Sequence, residues 1–212
     1  GLYTGSAGVA IFLAALGRST GDARWVEPAR RAASLDSPDD DVLLADGLAG
    51  RAYAAATVGR LVGDDALVAQ AGRVLLPLID DERAPQDVDL MSGYGGLVLA
   101  IASVAQTAGS AALADGAARA ARALHERFDA QCARDVVQAN KATRLGLAHG
   151  TGGTSLALAR AIAVTGEASS RAWLEQLLDL ENARIDRRGG APCRVTSDAA
   201  RLPDTTWCWG TA

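Results

Sequence analysis

The sequence predicts an all-α fold made of repeated helical hairpins, and three observations support this class. The composition is 49% hydrophobic but only 4% aromatic, and alanine and leucine, which favour packed helices over β-sheets, are abundant. A glycine-framed motif recurs along the chain. Each copy opens a nearly uncharged segment that is followed by an amphipathic one. Inner apolar helices that alternate with outer amphipathic helices are typical of a solenoid or a closed α/α toroid.

The recurring motif is an apolar residue followed by Gly-x-x-Gly and a long apolar run that ends at glycine. Four copies begin at Leu2, Leu44, Leu90 and Leu147, and a fifth begins with WCWGTA at Trp207. The first glycines of the five copies are Gly5, Gly47, Gly93, Gly150 and Gly210. Their spacings of 42, 46, 57 and 60 residues each leave room for two helices, because an average helix has about 11–12 residues.

Each copy contributes one inner and one outer helix in chain order. In the first copy, the apolar run VAIFLAAL ends at Gly17, and DARWVEPARRAASL forms the outer helix. The second copy pairs AYAAATVGRLVG with ALVAQAGRVLLPLIDD. The third pairs LVLAIASVAQ with ALADGAARAARALHERF, whose helix we expect to end at Phe128. The fourth pairs TSLALARAIAVTG with SSRAWLEQLLDLENARI. Uncharged helices are buried on most sides, whereas amphipathic ones present one face to water.

The two glycines of the motif have separate predicted roles. The first allows a turn with positive φ, and the second permits a close backbone approach in the first helical turn. All loops then lie at one end of the inner helices, and a polar residue before each first glycine points into the mouth of the ring. Those residues are Thr4, Asp46, Ser92, His149 and Trp209, with Cys208 one residue further back.

Charge and cysteine content exclude several classes of function. The net charge is −4 and the pI is near 5.2, so no basic surface is available for nucleic acid or anionic membranes. Three widely spaced cysteines form no disulfide framework and favour the cytoplasm. The uncharged stretch from Gly93 to Ala114 is about as long as a bilayer span. Its glycines and polar residues favour a buried helix, and no integral membrane segment is expected.

The ordered motifs resemble the LanC-type lanthionine synthetase cyclases, most closely the cyclase portion of the bifunctional class II (LanM-type) enzymes. LYTGSAGVAIFLAAL is similar to the first repeat of that family, and LADGLAG to the second. DLMSGYGG is similar to the third, GLAHGTGG to the histidine-bearing fourth, and WCWGTA to the Trp-Cys-x-Gly fifth. The resemblance covers residues 1–212 and implies an incomplete α/α toroid, with about four of seven repeats and the start of a fifth.

The resemblance implies a zinc-dependent peptide cyclase and assigns three residues. Cys208 matches the first zinc ligand, His149 matches the proposed acid/base, and Asp89 matches the aspartate of the third loop. The family adds peptide cysteine thiols to dehydrated serine or threonine and so forms lanthionine bridges in a lantibiotic precursor. Metal coordination stabilises a thiolate near neutral pH, and a histidine suits delivery of a proton to the resulting enolate.

The family places the second zinc cysteine and the histidine ligand in a later Cys-His-Gly repeat, which would lie beyond residue 212. We therefore expect the chain to be an N-terminal part of a cyclase domain, inactive by itself, since zinc needs three or four protein ligands. The likeness to the bifunctional enzymes implies a dehydratase domain upstream. The precursor peptide is the expected partner, and the cytoplasm is the expected compartment.

Other assignments stay open for several of these residues. Asp87 competes with Asp89, and either carboxylate also fits loop solvation or helix capping. The aspartate either orients His149 or holds a water. We expect Cys132, after the helix that ends at Phe128, and Cys193, in a loop, to be incidental thiols, and His125 to be a surface residue.

Two other functions compete with the cyclase. A non-catalytic ring that binds a peptide or small thiol needs no metal. A six-hairpin α/α-toroid glycoside hydrolase needs paired carboxylates across an aromatic cleft. Only Asp46 and Asp89 lie near the predicted mouth, and aromatic residues are few.

Overall fold

The computed structural model describes residues 1–36, 41–137, 146–183, 185–186 and 193–194. Within those ranges the prediction of an all-α fold is confirmed. The α-helices are α1 (Ser6–Thr20), α2 (Val26–Ala32), α3 (Leu48–Val62), α4 (Asp65–Leu75), α5 (Tyr94–Ala108), α6 (Ala111–Val137), α7 (Thr151–Thr165) and α8 (Ala168–Ala183). Short 3₁₀ segments, Ala23–Trp25 and Leu76–Ile79, precede α2 and follow α4. The strands β1 (Ile185–Asp186) and β2 (Cys193–Arg194) form a small antiparallel pair.

The helices form two layers, as the alternation of apolar and amphipathic segments predicts. The inner layer consists of α1, α3, α5 and α7, and each inner helix contacts the next one in chain order. The outer layer consists of α2, α4, α6 and α8, and each outer helix packs on the inner helix of its own copy. Stacked hairpins of this kind bury a continuous core that a single hairpin cannot form.

The core is densest around α5, which has neighbours on both sides and an outer helix behind it. Ten of its 15 residues are buried, including Tyr94, Leu97 and Ile101. Alanine makes up much of the core, as at Ala52 and Ala55 of α3, which are both fully buried.

The uncharged stretch from Gly93 to Ala114 is divided between two helices. α5 ends at Ala108, Gly109 follows with a φ of 60°, and α6 starts at Ala111. Across the described ranges, each helix is too short or too polar to cross a membrane.

For the four copies that the structure describes, the prediction of positive φ at the first glycine is wrong. Gly5, Gly47, Gly93 and Gly150 have φ between −116° and −146° and lie in extended backbone immediately before an inner helix. At Gly93 a side chain is excluded because a Cβ would lie 2.6 Å from the Asp89 carbonyl oxygen. The glycine is therefore required by crowding and not by a left-handed turn.

The left-handed conformation occurs instead at the glycine that ends each inner helix. Gly21, Gly63, Gly109 and Gly166 have φ between 60° and 73°. A left-handed C-terminal glycine stops a helix at little steric cost. In the first copy α1 continues beyond Gly17 to Thr20, so the predicted end at Gly17 is three residues early.

The second glycine of the motif behaves as predicted. A Cβ on Gly96 would collide with the Leu90 carbonyl oxygen and would lie 2.6 Å from the Leu44 Cβ. A Cβ on the equivalent Gly153 would collide with the Leu147 carbonyl oxygen and would lie 2.7 Å from the Leu90 Cβ. The absence of a side chain at each of these glycines thus allows the leucine that opens the preceding copy to pack against it.

Two cysteines lie in different settings from those expected. α6 extends to Val137, nine residues past the predicted end at Phe128, so Cys132 is helical and half-buried. The charged C-terminal part of α6 has no glycine to stop it, which explains the continuation. Cys193 begins β2, where it pairs with Asp186, and does not lie in an irregular loop.

Candidate functional site

The loops that precede the inner helices lie side by side, joined by a one-way ladder of backbone hydrogen bonds. We call these loops, residues 1–5, 43–47, 89–93 and 146–150, the loop end. Tyr3 donates its N–H to the Ala45 carbonyl at 2.9 Å, Ala45 to the Met91 carbonyl at 3.1 Å, and Met91 to the Ala148 carbonyl at 3.2 Å. These four residues are equivalent in their copies. The predicted gathering of the loops at one end is therefore confirmed for the four copies.

The ladder brings polar side chains of neighbouring copies together. The Thr4 hydroxyl donates to Asp46 Oδ1 at 2.6 Å, which joins the first two loops. Ser92 is exposed and bonds to Asp89 within its own loop. His149 is half-buried. Trp209 and Cys208, the equivalent residues of the fifth copy, lie outside the described residues.

Asp89 and His149 meet across the third and fourth copies. The distance between His149 Nδ1 and Asp89 Oδ2 is 3.4 Å, with side-chain exposures of 28% and 16%. This is an ion-pair distance when the imidazole is protonated, and it is slightly longer than an ordinary hydrogen bond. The arrangement favours the orienting role that the sequence left open for Asp89. Asp87 is exposed.

The Asp89 carboxylate is fixed by its own loop. Ser92 donates its backbone N–H to Asp89 Oδ1 at 2.7 Å, which closes a local turn. The Ser92 hydroxyl is 3.4 Å from Oδ2, the oxygen that faces His149. Because local side-chain hydrogen bonds of this kind restrict an aspartate to few rotamers, Oδ2 stays directed toward the fourth copy.

Tyr94 anchors the segment that leads to Asp89, a role that the sequence reasoning did not assign. Its hydroxyl donates to the Ile79 carbonyl at 3.0 Å, and its backbone N–H donates to the Asp87 carbonyl at 2.7 Å. The Arg127 guanidinium lies 3.9 Å from the centre of the ring and donates to the Pro85 carbonyl. Burial raises the pKa of the Tyr94 hydroxyl, and the positive charge of Arg127 partly opposes this rise. The sequence signal that could have indicated this role is an aromatic residue between the two glycines of the motif.

A comparison with known protein families gives a match that spans the whole chain. The profile of the family described as "Lanthionine synthetase C-like protein" matches residues 1–212. The chain belongs to the LanC-like family. A search of curated proteins found no significant match.

The fourth loop of this LanC-like chain is supported from behind by a buried carboxyl group. The Thr151 hydroxyl, in the first residue of α7, donates to Glu181 Oε1 on α8. Both side chains are buried, and Thr151 is two residues after His149. The sequence reasoning missed Glu181. The sequence signal for Glu181 is its spacing. Trp173, Leu177 and Glu181 follow one another at intervals of four residues, so an acidic residue lies on the buried apolar stripe of α8.

The second histidine, His125, is exposed, as expected of a surface residue, and it also makes a stacking contact. The His125 ring stacks on Trp173 with centroids 4.3 Å apart and planes inclined by 16°, although its side chain remains 47% exposed. Phe128 meets the same indole edge-on. His125 therefore helps to join α6 to α8, on the outer layer and not at the loop end.

Within the described ranges, no group of three histidine, cysteine, aspartate or glutamate side chains is arranged to hold a metal ion. Cys208, the residue for which zinc ligation is predicted, lies outside those ranges.

Proposed function

We propose that this LanC-like protein is a cyclase that forms lanthionine or methyllanthionine bridges in a precursor peptide. The observation that carries the proposal is the contact between Asp89 and His149, formed by two adjacent copies at the loop end. A carboxylate beside an imidazole is a common arrangement for moving protons near neutral pH. Family membership supplies the class of reaction.

The proposed reaction needs a nucleophile, which forms when the peptide thiol loses its proton, and the transfer of one proton to carbon. A peptide cysteine thiolate attacks the β-carbon of dehydroalanine or dehydrobutyrine and forms a carbon–sulfur bond. The electrons of the alkene move toward the adjacent carbonyl and give an enolate. A proton then returns to the α-carbon, so the product has the same mass as the substrate.

His149 is the residue that we assign to this proton transfer. With Nδ1 directed toward Asp89, Nε2 on the opposite side of the ring is the atom assigned to the substrate. The negative carboxylate stabilises the imidazolium that donates the proton, and it fixes the plane of the ring. The 3.4 Å separation is compatible with an apo site, because catalytic hydrogen bonds commonly tighten only when substrate binds.

The proposal includes a zinc ion because one predicted ligand, Cys208, is present in the sequence. Cys208 carries a thiol, which is a preferred zinc ligand, and its copy follows that of His149 along the chain. The described residues alone do not fit a zinc site, and further ligands would have to join Cys208. When bound, zinc would hold the substrate thiol as a thiolate. The roles of His149 and Asp89 do not depend on it.

The cellular setting is also proposed, from the likeness of the motifs to those of class II synthetases. In that setting the domain is covalently linked to an upstream dehydratase, which produces the dehydrated residues, and it works in the cytoplasm. The net charge of −4 is consistent with a peptide partner and does not favour nucleic acid.

The test is a cyclisation assay with a synthetic peptide that contains one dehydroalanine and one cysteine. Because the mass does not change, the readout is the loss of thiol that reacts with N-ethylmaleimide, followed by fragmentation of the product. We expect a protein that contains this chain together with the expected Cys-His-Gly repeat, with added Zn²⁺, to accelerate thiol loss above the uncatalysed rate and to give one thioether isomer.

Binding of the peptide without acceleration would instead indicate a non-catalytic LanC-like binding module. Acceleration by zinc alone, at the same rate, would contradict the role given to the protein.

A further inference from the structure

We propose that Thr154 is a positioning residue that holds Asp89 in place for its contact with His149. This inference rests on the proposed cyclase function for its activity readout, but its structural readout is independent. Thr154 lies in the first turn of α7 and is fully buried. Its hydroxyl donates to the Val88 carbonyl at 3.2 Å, across 66 residues of sequence.

The hydrogen bond from Thr154 acts on the backbone that enters Asp89. The Val88 carbonyl and the Asp89 nitrogen belong to one planar peptide group. Fixing the direction of that carbonyl therefore fixes the plane on one side of the Asp89 Cα. Thr154 does not need to touch the carboxylate to control where the carboxylate points.

The plane on the other side of Asp89 is held by the same segment of the fourth copy. Leu90 donates its N–H, which belongs to the peptide group that leaves Asp89, to the Ala148 carbonyl at 3.1 Å. That carbonyl in turn belongs to the peptide group that enters His149. Both planes that flank Asp89 are thus hydrogen-bonded to residues 148–154, the segment that carries His149.

A comparison of the copies shows that the hydroxyl is specific to the fourth. The residues equivalent to Thr154 are Val9, Arg51 and Leu97 in the first three copies. A valine has nearly the same shape as a threonine, and it avoids the cost of burying a hydroxyl. The hydroxyl is therefore found in the fourth copy, which follows the copy that contains Asp89.

The test compares Thr154→Val, which removes the hydroxyl, with Thr154→Ser, which keeps it. The matched control is Thr107→Val, because the Thr107 hydroxyl donates to Ser103 within α5, at the end opposite the loops. In the thiol-loss assay we expect Thr154→Val to lower kcat about 10-fold with little change in KM, since small misplacements of a catalytic group have effects of this order. We expect Thr154→Ser and Thr107→Val to stay within about 2-fold of the parent.

A double variant separates positioning from general damage. If Thr154 acts through Asp89, adding Thr154→Val to Asp89→Asn lowers kcat no further than Asp89→Asn alone. Additive losses in the double variant, or a loss with Thr154→Ser as large as that with Thr154→Val, would overturn the proposal. Thr154→Ala provides a second hydroxyl-free variant in case the valine variant does not fold.

Amide NMR spectra decide the question even in the absence of cyclisation activity. The Ser92 N–H bonds to Asp89 Oδ1, so its chemical shift reports the position of the carboxylate. We expect Thr154→Val to move the Ser92 and Leu90 amide signals and Thr107→Val to leave them in place. Unmoved Ser92 and Leu90 signals in Thr154→Val would refute the positioning role, whatever the outcome of the activity assay.

Discussion

At the scale of single residues, the candidate site depends on one carboxylate and one imidazole from different copies. His149 and Asp89 lie 3.4 Å apart and are each partly shielded from solvent. Partial burial strengthens an electrostatic contact relative to a fully exposed one, because less water screens the charges. The pair can therefore influence proton transfer in a way that a surface ion pair does not.

Replacement of His149 tests the proton-transfer role directly. We expect His149→Gln to lower kcat for cyclisation at least about 100-fold, the lower range of general acid–base catalysis. The matched control is His125→Gln, because His125 stacks on Trp173 between α6 and α8 and is not one of the loop-end residues. The thiol-loss assay measures both. Equal effects of the two substitutions would exclude a specific role for His149.

Replacement of Asp89 tests the partner of the imidazole. Asp89→Asn keeps the shape and one oxygen for the Ser92 N–H but removes the negative charge that faces His149. We expect kcat to fall about 10-fold or more, because the protonated imidazole loses its stabilising charge.

The control for this substitution is Asp87→Asn, two residues away on the same segment. Asp87 is exposed, and its backbone carbonyl already accepts the Tyr94 N–H, so its side chain should have little effect. A larger loss with Asp87→Asn than with Asp89→Asn would show that Asp87, and not Asp89, is the functional aspartate.

Substitution of Cys208 tests the zinc proposal by metal content and not by activity. In the complete protein, we expect Cys208→Ala to lower the bound zinc well below one equivalent, because a tetrahedral site loses a ligand. Cys132→Ala is the control, since Cys132 lies on the outer helix α6. Elemental analysis after dialysis gives the stoichiometry. Full zinc content in Cys208→Ala would remove this residue from the ligand set.

The sequence indicated the types of residue at the site but not their contact. His149 is conspicuous because it precedes the first glycine of a motif and only two histidines are present. Its contact with Asp89 spans 60 residues and depends on the register between two loops. Periodicity within one helix carries no information about that register, and the same holds for the Thr154 hydroxyl bonded to Val88.

At the scale of the secondary-structure elements, glycines determine where each inner helix begins, ends and meets its neighbour. The left-handed glycines stop the helices, whereas the glycines in the first turn allow a leucine of the preceding copy to pack against bare backbone. The sequence predicted the inner helices well, because uncharged segments framed by glycine have few alternatives. It misplaced positive φ, since a glycine in a loop does not reveal which steric constraint it meets.

The two kinds of glycine predict different costs of substitution. Gly96→Ala places a methyl group against the Leu90 carbonyl and 2.6 Å from the Leu44 Cβ. We expect it to lower the free energy of unfolding by about 3 kcal/mol through overpacking. Gly109→Ala meets no atom within 4 Å but keeps a φ of 60°, so we expect a loss of about 1 kcal/mol.

Urea unfolding of both alanine variants gives this comparison directly. Equal losses, or a larger loss for Gly109→Ala, would contradict the steric role of the second glycine.

At the scale of the whole molecule, contacts between layers tie the loop end to the outer helices. Arg127 of α6 lies over the ring of Tyr94, and Tyr94 holds the segment that leads to Asp89. On the other side, Glu181 of α8 receives the Thr151 hydroxyl beneath the fourth loop. The outer helices therefore fix the loops as well as cover the core.

The buried Tyr94 hydroxyl predicts a change in stability at alkaline pH. Burial raises its pKa in the folded state above the ordinary value of 10.0. Above that pH the unfolded chain loses the proton while the folded chain keeps it, so the folded state loses stability as pH rises.

A comparison with Tyr94→Phe isolates this effect. Below pH 10 we expect the variant to be less stable by about 1 kcal/mol, because the Ile79 carbonyl loses its buried hydrogen-bond donor. Above pH 10 the difference between the two proteins should narrow, since only the parent carries the ionising hydroxyl. Urea midpoints from pH 7 to 11 measure this difference. A constant difference across the range would show that Tyr94 ionises equally in both states.

Each side chain at the loop end can be described by its copy and by its distance in sequence from the ladder residue of that copy (Tyr3, Ala45, Met91 or Ala148). Gly1 and Asp89 both stand two residues before the ladder residue of their copy. Gly1 lies against Asp46 and Asp89 lies against His149, and both of these neighbours stand one residue after the ladder residue of the next copy. The same pair of offsets thus brings the same neighbours together at the contact between the first two copies and at the contact between the third and fourth. The chemistry at each contact is therefore decided by the two side chains at these offsets: glycine and aspartate in the first case, aspartate and histidine in the second.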